Sequence, residues 1–109
     1  MTYQLRDING SVVVITGATT GIGAAAAKQL VELGCKVVLN ARNEAKLKEM
    51  VDQLGAANAA YLAGDSSIPD VSRAVAKKAI DTFGTIDRVV PNAGIGMYGS
   101  VLDYSDDEV

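Results

Sequence analysis

Apolar and polar positions follow two rhythms along the chain. Val12 to Ile15 is an unbroken β-branched run, suited to a strand covered on both faces. After glycines at 17, 21 and 23, Ile22, Ala26, Leu30 and Leu33 recur at helical spacing. Lys28, Gln29 and Glu32 fall toward solvent, and Gly34 ends that helix. Lys36 to Asn40 predicts a second short buried strand. Asn43 begins a second helix, whose apolar face is Leu47, Met50, Val51 and Leu54 and whose end is Gly55. Ala59 to Ala63 is a third strand, supported mainly by its flanks, and Gly64-Asp65-Ser66 is the loop at its end. Ser67 is the expected N-cap of a third helix, with Pro69 in its first turn and Val71, Val75, Ala79 and Phe83 inward. Gly84 stops it, Ile86 to Val90 predicts a fourth strand, and Pro91 to Gly96 is a second glycine-rich loop.

Strands alternating with helices over short connections predict parallel pairing through right-handed crossovers. The expected fold is therefore α/β: a Rossmann-type doubly wound parallel sheet of strand order 3-2-1-4, with helices on both faces. The loops after Ile15, Asn40, Ala63 and Val90 would share one edge, the edge at which such sheets bind ligands. Near the end, Ser105 and Glu108 have capping-box spacing, and Tyr104 and Val109 occupy the two positions of a hydrophobic staple. A helix is expected to start there, so the sheet reads as cut before a fifth strand; a frayed acidic tail is the alternative.

The chemistry gathers at Val12 to Gly23, VVVITGATTGIG. Glycines permit backbone angles and close approaches that a side chain would block. A helix beginning near Gly21 aims unpaired N–H groups and the positive end of its dipole at the turn, which favours an anion. A strand before and a helix after supply the context that a phosphate-binding turn needs, against the alternative of an ordinary ligand-free βα turn.

Composition narrows the partners. At 109 residues the chain holds one small domain, and 49% hydrophobic with 21% charged residues fits a globular protein and not a disordered tail. A formal charge of −3 with a pI near 4.7 gives no support for nucleic-acid binding. With no histidine and a single cysteine, Cys35, neither a serine-histidine nucleophile nor a Cys/His zinc site can be built. Cys35 reads as a small buried apolar residue in preference to a reactive thiol. The N-terminus lacks an apolar signal core and no run reaches membrane-spanning length, so a cytoplasmic location without membrane partners is the expectation.

Thr16 to Gly23 (TGATTGIG), Gly64-Asp65 and Asn92-Ala93-Gly94, in this order and spacing, resemble the short-chain dehydrogenase/reductase family. The resemblance covers essentially the whole chain, but only the N-terminal, dinucleotide-binding half of such an enzyme. It implies a nicotinamide cofactor along the strand ends. Gly17, Thr19, Thr20, Gly21, Ile22 and Gly23 would contact the pyrophosphate and adenosine side, Asp65 and Ser66 the adenine, and Asn92, Ala93 and Gly94 the ribose and adenine region. Asp65, read from its residue type alone, is an acceptor for an exocyclic amine, or else a solvated turn aspartate.

Cofactor choice is expected after the second strand, where an acidic residue would take the ribose 2′-hydroxyl of NAD. That position is Ala41, followed by Arg42. A missing carboxylate and a guanidinium suited to phosphate oxygens favour NADP over NAD, the alternative being a solvated loop arginine. Two departures from the family stand out. Pro91 replaces the first of two customary asparagines and has no N–H to give a strand. The family's catalytic tyrosine is followed four residues on by lysine, whereas Tyr3, Tyr61, Tyr98 and Tyr104 are followed by Asp7, Asp65, Leu102 and Glu108. The catalytic asparagine, serine, tyrosine and lysine are therefore expected beyond Val109, no catalytic residue is assigned in this chain, and the chain alone should be inactive.

The resulting expectation is the cofactor-binding portion of an NADP(H)-dependent oxidoreductase that acts on a small carbonyl or alcohol and, when complete, forms a homo-oligomer. A naturally short NADP(H)-binding module or sensor, and a remnant that binds nothing, are the alternatives. Only Ile95 to Tyr98 could border a substrate from this half, so the substrate stays open.

Overall fold

The computed structural model describes residues 9–92. Four strands and three helices alternate: β1 (Val12–Thr16), α1 (Gly21–Glu32), β2 (Lys36–Ala41), α2 (Glu44–Leu54), β3 (Ala59–Ala63), α3 (Pro69–Phe83) and β4 (Arg88–Pro91). All pairings are parallel and the order is β3-β2-β1-β4, as the βα rhythm predicts. Val14 is in register with Val38 on one side and Val89 on the other, which makes β1, like β2, an interior strand of the described sheet.

Alternate residues of each strand feed two cores, the consequence of a pleat that points successive side chains to opposite faces. Val13, Ile15, Val37 and Leu39 join Ala27 of α1 and Leu47 of α2 on one face. Val12, Val14 and Val38 join Val75 and Ala79 of α3 on the other. The runs read from sequence as continuous apolar strands are continuous because both faces are covered. Cys35 is 1% exposed in the first core and behaves as a small apolar residue. Burial raises its thiol pKa, with a smaller opposing pull from Arg88.

Three local expectations require correction. Ile22 is 69% exposed, and the inward stripe of α1 is instead Gly23, Ala27, Leu30 and Val31, turned by one residue. The cause is contact at Gly23, where an added Cβ would lie 2.5 Å from the Gly17 carbonyl oxygen; only glycine lets the helix approach the preceding loop there. Ser67 does not cap α3. The N-cap is Ile68, without a side-chain bond, because the Ser67 hydroxyl donates to Asp65 Oδ1 at 2.7 Å instead. Pro69 does open the helix, and the Asn43 side chain caps α2 by accepting from the Lys46 N–H at 3.1 Å, both as expected.

The fourth strand starts two residues later than the expected Ile86 to Val90 and ends one later, at Pro91. Asp87 precedes it and fastens its start: the Asp87 N–H donates to the Val12 carbonyl at 2.9 Å, and its carboxylate accepts from the Val12 N–H at 2.8 Å. N–H direction alternates along a strand, so the nitrogen of residue 91 faces β1 as that of Asp87 does. Proline has no hydrogen there, so β4 gives its last ladder donor before Pro91 and ends with it. The helix expected from Ser105 lies outside the described residues.

Candidate functional site

The loops that follow β1, β2, β3 and β4 come together at the C-terminal edge of the sheet. The first turns at Gly17, whose φ of 64° lies in the left-handed region that glycine enters without strain. Ala18 is fully buried and donates its N–H to the Asn40 carbonyl at 3.0 Å, pinning this loop to the end of β2.

Thr20 is the N-cap of α1, and its side chain is spent on the loop. Its hydroxyl donates to the Gly17 carbonyl at 3.0 Å and accepts from the Gly23 N–H at 3.1 Å and from Asn92 Nδ2 at 2.8 Å. A hydroxyl has one proton and two lone pairs, so all are in use. The Thr20 N–H also bonds the Gly17 carbonyl, at 3.2 Å. Asn92 Nδ2 reaches the same carbonyl at 3.1 Å, so the end of β4 is tied to the turn after β1. Thr20 and Asn92, expected among the ligand contacts, therefore shape the turn.

What the loop presents outward is backbone. Among the described residues, the N–H groups of Thr19, Gly21 and Ile22 have no acceptor, and Ile22 is exposed beside them. Open N–H groups at the start of a 12-residue helix, with its dipole behind them, can hold an anion.

Asn40 is a position at this edge that the sequence reading missed. It is 1% exposed, and its Nδ2 donates to the carbonyls of Leu62 at 2.9 Å and Gly64 at 3.2 Å. With its own carbonyl on Ala18, it holds the loops after β1 and β3 to the end of β2. The available signal was an amide side chain closing a wholly apolar run, since a buried amide requires partners.

Beyond Asn40, Ala41 is buried and uncharged, and Arg42 is exposed. Arg42 Nη2 lies 3.3 Å from Asp65 Oδ2, joining the loops after β2 and β3. Asp65 Oδ1 accepts from the Ser67 N–H at 2.9 Å and from the Ser67 hydroxyl. Those bonds lower the Asp65 pKa, Arg42 adds to the effect, and partial desolvation opposes it. Ser66 lies half-buried in the same loop. Gly17, Thr19, Thr20, Gly21, Ile22, Gly23, Arg42, Asp65, Ser66 and Asn92 thus share one edge, while Ala93 and Gly94 fall outside the described residues. No group of three or more metal-ligating side chains exists among the described residues, and no described helix is long and apolar enough to cross a membrane.

Comparison with known proteins agrees with this geometry. The sequence model of the short chain dehydrogenase family matches residues 11–109. An uncharacterised oxidoreductase of Bacillus subtilis is 38% identical over 102 residues, which are 92% of this chain and 29% of that protein. The crystal structure of L-sorbose reductase from Gluconobacter frateurii, complexed with NADPH and L-sorbose, superposes with a TM-score of 0.74 at 36% identity, over 80% of this chain and 34% of that one. The structure of 3-ketoacyl-(acyl-carrier-protein) reductase from Brucella melitensis, complexed with NADH, gives 0.72 at 32% identity, over 75% and 34%. The chain therefore spans about a third of the length of these relatives. With its motifs on one sheet edge and a family match over nearly all its length, the chain belongs to the short-chain dehydrogenase/reductase family.

Proposed function

We propose that the chain is the cofactor-binding portion of an NADP(H)-dependent short-chain oxidoreductase acting on a carbonyl or alcohol substrate. The observation that carries the reading is the array on one edge: open N–H groups at Thr19, Gly21 and Ile22, and the Arg42 guanidinium beside an uncharged Ala41. The first suits a pyrophosphate and the second a 2′-phosphate. The absence of a carboxylate at Ala41 removes the residue that would take the 2′-hydroxyl of NAD and repel a phosphate. One relative binds NADPH and another NADH, so this preference rests on residues 41 and 42 and not on family membership.

The local geometry of the turn supports this reading. A Cβ at Gly23 would collide with the Gly17 carbonyl, and that contact keeps the first turn of α1 beside the loop. In this reading Gly17, Thr19, Gly21, Ile22 and Gly23 form the pyrophosphate cradle, with Thr20 and Asn92 holding its shape. Asp65 and Ser66 would border the adenine, and Asn92, Ala93 and Gly94 the ribose and adenine region. Bound nicotinamide supplies the hydride exchanged with the substrate; these residues bind and orient the adenosine and pyrophosphate end.

Calorimetric titration of the full chain with NADP and NAD tests the reading. Saturable binding of both, tighter for NADP, is expected. Absence of saturable binding would reject it, and equal affinities would reject the assignment of Arg42.

A further inference from the structure

Arg42 and Asp65 come from different loops and meet at 3.3 Å, yet the two side chains are held very differently. Asp65 is fixed: its Oδ1 takes two bonds from Ser67, which turns Oδ2 toward Arg42. Its side chain is 35% exposed and stays ionised, because the Ser67 bonds favour the carboxylate. Arg42 is 80% exposed on a long side chain, with this one contact to hold its guanidinium among the described residues. An ion pair this open is weak and readily exchanged. A phosphate monoester, with a charge of roughly −1.5 to −2 and three acceptor oxygens, is a stronger partner for a guanidinium than one carboxylate oxygen.

Resting on the reading that Arg42 receives the 2′-phosphate of NADP, we propose that Asp65 is a specificity-determining residue that competes with this phosphate for the Arg42 guanidinium. When the cofactor carries a 2′-hydroxyl, Arg42 keeps Asp65 as its counterion, and no charge is stranded. When it carries a 2′-phosphate, the pair must open. Asp65 thus narrows the preference that Arg42 creates and keeps NAD admissible. The Ala41 position, where a carboxylate would exclude the phosphate outright, is neutral, so the balance falls to a carboxylate one strand away that yields.

The test is a cycle of four full-chain proteins: wild type, Asp65→Asn, Arg42→Ala and the double variant. The readout is the ratio of the NAD to the NADP dissociation constant by calorimetry. Contacts to adenine are common to both cofactors and cancel in the ratio. Asparagine retains an oxygen for Ser67, so the loop keeps its bonds; Asp65→Ser is the second variant should Asp65→Asn fold poorly. Removing the carboxylate is expected to raise the ratio roughly fivefold when Arg42 is present and by less than about twofold when it is absent. Adenosine 2′,5′-bisphosphate and adenosine 5′-monophosphate should give the same pattern. An unchanged ratio in Asp65→Asn, or a full rise without Arg42, overturns the competition while leaving the NADP reading intact. If Arg42→Ala alone leaves the ratio unchanged, the 2′-phosphate assignment falls, and this proposal with it.

Discussion

Asn92 Nδ2 donates to the Thr20 hydroxyl at 2.8 Å, so the end of β4 holds shut the loop that follows β1. The same nitrogen reaches the Gly17 carbonyl at 3.1 Å. Two segments more than 70 residues apart in sequence are joined at the mouth of the candidate site.

Asn92→Ala removes a donor from two acceptors and is expected to cost about 1–3 kcal/mol. Asn92→Asp should cost at least as much, because it sets a carboxylate oxygen against the Gly17 carbonyl. Urea unfolding midpoints of the three proteins check the order. An Asn92→Asp variant as stable as wild type would mean that the amide is not the donor.

Two glycines two residues apart should respond in opposite ways. A Cβ at Gly23 would lie 2.5 Å from the Gly17 carbonyl oxygen and 2.9 Å from Asn92 Nδ2, whereas at Gly21 it meets nothing within 4 Å. Gly23→Ala is expected to destabilise by about 1–3 kcal/mol, as overpacking does, and to weaken nucleotide binding. Gly21→Ala should lie within about 1 kcal/mol of wild type, because alanine suits a helical position better than glycine. Thermal unfolding and cofactor titration of both variants separate the two sites.

Much of this was legible in sequence for a definite reason. Strands covered on both faces must be apolar throughout, and Val12 to Ile15 and Val37 to Leu39 are. Asn43 was legible as the start of α2, where its side chain accepts from the Lys46 N–H. Ser67 misled because Asp65, two residues before it, takes its hydroxyl, and helical spacing alone could not reveal that bond. Ile22 misled because a glycine carries no apolar signal, although Gly23 sets the rotation of α1. Asn40 escaped notice because its partners, Leu62 and Gly64, are brought to it only by strand order.

Asn40→Leu replaces a buried amide with an apolar side chain of similar size and strips the donor from the Leu62 and Gly64 carbonyls. The expected loss is about 1–3 kcal/mol. Amide hydrogen exchange should rise in the Gly64–Ser67 loop, whereas the loop after β1, held by the Asn40 backbone carbonyl, keeps its bond. Exchange confined to β2 would contradict a role for the side chain in holding the loop after β3.

Asp65 gives a pH dependence of known sign. Its folded pKa lies below the ordinary value, first because of the Ser67 bonds. Such a carboxylate contributes stability above its unfolded pKa of about 4, and loses it as pH falls through the folded value. Between pH 6 and pH 2 the wild type should therefore lose more stability than Asp65→Asn, by an amount kept small by the exposure of the group. Parallel urea titrations across that range would show parallel curves if the Ser67 bonds do not favour the ionised form.

On the proposed reading, residues 41 and 42 make this edge an NADP site. Calorimetric titration of wild type and Arg42→Ala with both cofactors tests it most directly. The prediction is that wild type binds NADP more tightly than NAD and that Arg42→Ala loses affinity mainly for NADP, bringing the two constants together. Equal losses for both cofactors, or none for either, would contradict it.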